Sequence, residues 1–445
     1  MARQLRGGFA SRLGFILAAA GSAIGLGNIW KFPYITGENG GGAFLVIYLV
    51  TVFVIGFSIM MAELAIGRAA ERNPVGAFSR LKGGAWVGVG YMGVLTGVII
   101  LSFYSVVGGW TIAYALKAIS GQLAGGDAAA LGGTFGGFIG DTAEPLVYHA
   151  IFMTLTCVVV GVGLGGGIER AAKVLMPLLL FLIVVLIVQV LSLPGAEAGI
   201  SFFFSPDFSK VNGDTFIAAV GHAFFSLSLG MGTMLTYGSY LSRKVWLPTA
   251  AATVTVLDTL IAILAGMIIL PAVFAFGIDP GAGPGLTFIT LPAIFNQMPG
   301  GDWVAFAFFI LLAVAALTSA VSLLEVVVAY FVDEKQVLRT RATMAAGVII
   351  FLLGIPSSLS FGLLSDTTFF GTMTFFDVMD YLSSNILLPV GGILVAIFAA
   401  WIAWPRIIEE ASGWEKSTFP LAGLWRIVLG VVAPVAVLLV LYHGL

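Results

Sequence analysis

Charge is what this sequence has least of. Only 9% of its 445 residues are Asp, Glu, Lys or Arg, while 59% are hydrophobic. Water-soluble domains carry about 25% charged residues, so too little polar surface is present to cover a soluble body of this size. A single cysteine, Cys157, excludes internal disulfides and thiolate metal clusters. The three histidines, His149, His222 and His443, are too scattered for a zinc-ligand set. A net charge of −2 excludes a basic nucleic-acid binder. What is abundant is long apolar sequence, and the chain reads as a membrane protein.

A hydrocarbon core about 30 Å thick needs about 20 apolar residues per helix. Eleven such segments are expected, near 13–36, 42–69, 86–121, 146–163, 168–193, 214–240, 246–276, 302–332, 341–358, 375–403 and 421–442. They are numbered 1 to 11 below. Their Leu, Ile, Val, Phe and Ala are too dense for the alternating strands of a membrane barrel. The expected fold class is an all-α membrane protein forming one transmembrane domain over 1–445. The opening residues imitate a signal peptide, with Arg3, Arg6 and Arg12 ahead of an apolar stretch. That stretch continues through Gly25 and Trp30 to Pro33, so it is read as segment 1 rather than a leader. Basic residues alternate from loop to loop: with the N-terminus in the cytoplasm, all but three of the 20 Lys and Arg fall on or beside cytoplasmic connections. The C-terminus then lies outside the cell, and the protein is placed in the cell (inner) membrane.

Two segments carry glycine and polar clusters at mid-span, Gly21-Ser22-Ala23-Ile24-Gly25-Leu26-Gly27-Asn28 in segment 1 and Ser226-Leu227-Ser228-Leu229-Gly230-Met231-Gly232 in segment 6. Glycine weakens a helix interior by about 1 kcal/mol relative to Ala. Unwound backbone within a bilayer is costly unless its N–H and C=O groups meet water, an ion or a ligand. If segments 1–5 and 6–10 are two repeats, the breaks fall at equivalent points, the pattern of a transporter's midplane site. Asp258 interrupts VTVLDTLIAILAG in segment 7, where an ionised carboxylate costs at least about 2.5 to 3.5 kcal/mol unless paired.

At these residues the sequence resembles the neurotransmitter:sodium symporter family, especially its bacterial amino-acid transporters. The resemblance is carried by GSAIGLGNIWKFPY, ENGGGAF, AFFSLSLGMGTMLTYGSY, ITLPAIF and ALTSAVSLLE. It implies a LeuT-type 5+5 inverted repeat with broken helices 1 and 6. Repeat one then covers about 13–193, repeat two about 214–403, and 421–442 is an extra helix. It also implies two sodium ions. The first site falls on the Ala23 carbonyl, the side chains of Asn28 and Asp258, and Ser226. The second falls on the carbonyls of Gly21, Ile24 and Ala315 with the hydroxyls of Thr318 and Ser319. Chloride-dependent members have Asn where Asp258 stands and Ser one turn later, where this chain has Ala262. The fixed charge of Asp258 is therefore expected to replace chloride.

For the organic substrate, the resemblance assigns the carboxylate to the amides of Leu26 and Gly27 and the hydroxyl of Tyr104. The amino group goes to carbonyls near Ala23, Phe225 and Ser226. Gly25 stands where monoamine transporters of the family carry Asp, so an α-amino acid is expected. The pocket of Ser22, Ile100, Phe225, Ser228, Met231, Ser319 and Leu323 has no formal charge, which disfavours charged side chains. Flexible Met231 favours a broad hydrophobic range, aromatic residues included. Lys31 and Asp380 match an outer charged gate with Phe103 nearby, Arg6 and Asp333 an inner one. Gly167 and Pro177 match a glycine–proline spacing that permits unwinding of segment 5. The expected activity is sodium-coupled symport of neutral amino acids by alternating access, and no enzyme. The alternative is an amino-acid sensor or ion channel on the same scaffold.

Overall fold

The computed structural model describes residues 7–277, 285–413 and 419–444. Among them, nine helices are long and apolar enough to cross a membrane: Gly42–Ala70, Gly84–Ile119, Glu144–Val162, Leu164–Leu191, Leu247–Ala275, Gly301–Lys335, Arg339–Leu359, Phe375–Ile402 and Ala422–Tyr442. These are segments 2–5 and 7–11. A tenth span is the bent pair Arg12–Ala23 and Gly27–Glu38, whose halves meet at 48°. Segment 6 is two pieces, Gly213–Ser226 and Thr233–Gly238, neither long enough to cross alone. By length and composition, the expected count of eleven is therefore not reached. The shortfall lies in segment 6, where the break is longest.

Local chemistry explains both breaks. The helical hydrogen bonds of segment 1 end where Ile24 turns to an extended conformation with its N–H still on the Ala20 carbonyl. In segment 6, Ser228, Gly230 and Gly232 take φ of 54°, 81° and 76°, a left-handed region closed to continuous right-handed helix. Gly230 is also pressed against segment 10: a Cβ there would collide with the Leu388 carbonyl oxygen, and one at Gly391 with the Gly230 carbonyl oxygen. The glycines thus provide both the turn and backbone-to-backbone packing.

Segments 3 and 8 pack along each other at the centre, while segments 4 and 5 keep exposed apolar faces, including Val162, Phe181 and Val188. That asymmetry fits a bundle shielded by its own helices at the middle and by lipid at the rim. Segment 5 opens with a wide helical turn, Leu164–Glu169, and then runs unbroken through Pro177. Between segments 10 and 11, the short helix Trp404–Ser412 is tied to the end of segment 2. Buried Arg68 donates to the Glu410 carboxylate at 2.7 Å and to the carbonyls of Glu410 and Val245.

Gly230→Ala is expected to lower the stability of the purified protein by at least about 1–2 kcal/mol, because strain and collision act together. A fall in melting temperature in detergent would register this; an unchanged value would contradict the packing described.

Candidate functional site

Each break is held by polar side chains, from its own segment or from a neighbouring one. The Gly25 N–H donates to Asn28 Oδ1 at 3.1 Å, and the Leu26 N–H to the Tyr104 hydroxyl at 3.1 Å. In segment 6 the Gly230 N–H donates to Glu63 Oε1 at 2.7 Å, while Ser228 and Leu229 fold back onto the carbonyls of Phe225 and Phe224. The N–H groups of Gly25, Leu26, Ser228, Leu229 and Gly230 are thus paired despite the missing helix, as a low-dielectric interior favours.

The breaks face each other across a small cavity of about 30 Å³. It is lined by Ser22, Ala23, Gly27, Ile100, Tyr104, Phe225, Ser226, Ser228, Met231, Ser319 and Leu323, together with Gly25. Of the expected substrate residues, only Leu26 is missing from this wall; it lines the larger cavity above. A Cβ on Gly25 would lie 2.5 Å from Ser319 Oγ and 2.9 Å from the Tyr104 hydroxyl, so any side chain there would intrude on these two groups.

Beside the cavity, Asn28, Ser226 and Asp258 form one buried oxygen-rich cluster. Asn28 Nδ2 donates to Asp258 Oδ1 at 2.8 Å and to Ser226 Oγ at 3.1 Å. Ser226 Oγ donates to both Asp258 oxygens at 3.0 Å, and the Tyr48 hydroxyl lies 3.4 Å from Ser226 Oγ. On the other side, Ser319 Oγ reaches the carbonyls of Ser22 at 3.0 Å, Gly21 at 3.4 Å and Ile24 at 3.5 Å. Carbonyl, hydroxyl and carboxylate oxygens are the donors a hard cation uses. Thr318 instead turns its hydroxyl to the carbonyls of Val314 and Ala315 in its own helix, at 3.2 and 3.0 Å.

The chain matches the sodium:neurotransmitter symporter family over residues 6–130 and 138–445. The chain belongs to this family. It is 39% identical to the uncharacterized sodium-dependent transporter YhdH of Bacillus subtilis (strain 168), over 97% of this chain and 96% of that one. It is 36% identical to an uncharacterized sodium-dependent transporter of Haemophilus influenzae, over 98% of each. A crystal structure of MhsT in complex with L-phenylalanine superposes with a TM-score of 0.91 at 48% identity, covering 99% of this chain and all of that one. The protein is therefore a multi-pass membrane transporter with the LeuT-type fold, and not an enzyme.

Above the transporter's small cavity lies a vestibule of about 280 Å³, with Phe225 and Tyr104 in the wall of both. Lys31, Phe103 and Asp380 line it. Lys31 and Asp380 are not ion-paired in this conformation: the Lys31 ammonium sits 5.0 Å over the Phe225 ring, and Asp380 accepts from Ser384 Oγ at 2.8 Å. At the opposite end, Asp333 Oδ2 accepts from the Asn73 N–H at 2.8 Å and from Asn73 Nδ2 at 3.2 Å. Its expected partner Arg6 lies outside the described residues.

Sequence reasoning missed several buried charged residues, among them Glu63, Arg68 and Glu325. Glu63 caps the second break, Arg68 anchors the helix Trp404–Ser412, and Glu325 binds Arg339 while accepting from the Tyr240 hydroxyl at 2.7 Å. Glu63 and Glu325 are each a lone charge in an apolar run, the same signal that singled out Asp258. Glu325→Ala strands the half-buried Arg339 and is expected to cost up to about 3–5 kcal/mol, whereas Glu325→Leu combined with Arg339→Met should recover most of it. Thermal melts of both variants test this; equal losses would argue against a charge effect.

Proposed function

We propose that the protein carries neutral, hydrophobic L-amino acids, aromatic ones included, into the cell by symport with two sodium ions, without need of chloride. The single observation that carries this reading is the meeting of two broken helices around an uncharged cavity flanked by oxygen-rich clusters. The Asn28–Ser226–Asp258 cluster, with the Ala23 carbonyl, would hold the first sodium. The Gly21 and Ile24 carbonyls with Ser319 would hold the second, joined by Ala315 and Thr318 once the Thr318 hydroxyl turns from its own helix.

A zwitterion suits the space between them. Its carboxylate would meet the Leu26 and Gly27 amides and the Tyr104 hydroxyl, where segment 1 restarts and its dipole favours negative charge. The phenylalanine bound by MhsT, at 48% identity, supports an apolar amino acid. Asp258 supplies fixed negative charge beside the first cation, so no bound anion is needed for balance. Each sodium moving down 100 mV contributes about 2.3 kcal/mol, enough in pairs to concentrate a zwitterion.

Alternating access would use the two 5+5 repeats, 13–193 and 214–403, with the N-terminus inside. Lys31 and Asp380 would close the vestibule over Phe225 and Phe103, with Arg6 and Asp333 closing the inner end. Unwinding of segment 5 between Gly167 and Pro177 would open the inner path, since proline removes one helical hydrogen bond.

Proteoliposome uptake of radiolabelled phenylalanine tests the proposal. Accumulation should be saturable, require sodium outside, and persist with gluconate replacing chloride. Uptake equal in potassium, or passage without accumulation, would favour the channel. Binding without movement would favour the sensor. Asp258→Asn should cut uptake at least about tenfold or make it chloride-dependent, as loss of a charged partner at a buried ion site would; normal chloride-free uptake by this variant would remove the proposed role.

A further inference from the structure

The far wall of the small cavity holds hydrogen bonds whose direction can be worked out. Ser322, which sequence reasoning did not single out, is buried on segment 8 and does not line the cavity. Its hydroxyl lies 2.7 Å from the Ser319 carbonyl oxygen, and the Ser22 hydroxyl lies 2.7 Å from Ser322 Oγ. A hydroxyl has one proton and a carbonyl can only accept. Ser322 therefore gives its proton to Ser319, and the Ser22–Ser322 bond must be donated by Ser22. Ser228, whose left-handed backbone turns it toward segment 1, likewise gives its proton to the Ser22 carbonyl at 2.9 Å. Both hydroxyls of this wall are thus committed as donors to groups of the protein. What they retain for an occupant is acceptor capacity.

Of the other side chains assigned to this pocket, Ile100, Phe225, Met231 and Leu323 carry no donor, and Ser319 gives its hydroxyl proton to the Ser22 carbonyl at 3.0 Å. We infer that Ser322 is a specificity-positioning residue: by holding the Ser22 proton it gives the side-chain pocket an acceptor-only wall, which selects apolar amino acids ending in a hydrogen-bond donor, the phenol of tyrosine or the indole N–H of tryptophan. This rests on the substrate site proposed above and names the substrate class it favours. An apolar group of the same size would leave the acceptor lone pairs of the serine oxygens without a donor, and an acceptor would face those lone pairs. Sites that bond a substrate hydroxyl discriminate against analogues lacking it for that reason.

The test is competition against sodium-dependent [3H]phenylalanine uptake by tyrosine, 4-methylphenylalanine, which matches its size without a donor, and 4-cyanophenylalanine, which only accepts. In the native protein tyrosine should compete about two- to tenfold better than 4-methylphenylalanine, the range of one net neutral hydrogen bond, with 4-cyanophenylalanine poorest. Ser22→Ala should bring tyrosine and 4-methylphenylalanine level. Ser322→Ala, which frees the Ser22 proton to turn into the cavity, should improve 4-cyanophenylalanine severalfold while phenylalanine itself changes less than about twofold; Ser322→Thr, which keeps the hydroxyl, should restore the native order. A merely structural bond between segments 1 and 8 would lower all four amino acids together and leave their ratios fixed. That result, or equal competition by tyrosine and 4-methylphenylalanine in the native protein, overturns the inference while leaving the transport proposal standing. Absence of any sodium-dependent phenylalanine uptake overturns both.

Discussion

Unpaired peptide groups cannot be left inside a bilayer, and this constraint governs the protein. Two helices are interrupted near their middles, each interruption exposes N–H and C=O groups, and each must be answered by something polar outside the helical ladder. Asn28 and Tyr104 answer the first, Glu63 the second. The carbonyls that remain are the oxygen donors around which cation binding can be arranged. The same economy explains why polar residues in so apolar a chain converge on one place.

The ends of the molecule follow a different logic from its centre. On one face, aromatic side chains surround a vestibule flanked by Lys31 and Asp380, charges that stand apart. On the other, charges are bound tightly in buried networks: Glu325 with Arg339 and Tyr240, Asp333 with Asn73, Arg68 with Glu410. One end holds a vestibule, while the other is held by ionic and hydrogen bonds.

Much of this was legible in the sequence because lipid imposes strong rules. Long apolar runs gave the segments, and glycine clusters gave the breaks to within a residue or two. Asp258 stood out because a carboxylate in an apolar run needs a reason. Glu63 obeys the same rule yet escaped notice, since MMAELAIG offers no glycine beside it to mark a break; its partner, Gly230, is 167 residues away. Ser322 was hidden for another reason. A serine in an apolar helix is usually satisfied by the carbonyl one turn back, and only the fold reveals that Ser22 also leans on it from 300 residues away. The separation of Lys31 and Asp380 was illegible, because a sequence that suggests a charge pair does not say whether a given structure holds the two together.

The contact between Gly230 and segment 10 carries a geometric consequence. Peptide meets peptide there, with Leu388 and Gly391 lying against Gly230 and no side chain to act as a spacer. Such a junction behaves as a detent: sliding the interruption by one residue along its axis would drive a Cβ into a carbonyl. The break in segment 6 is therefore indexed to segment 10.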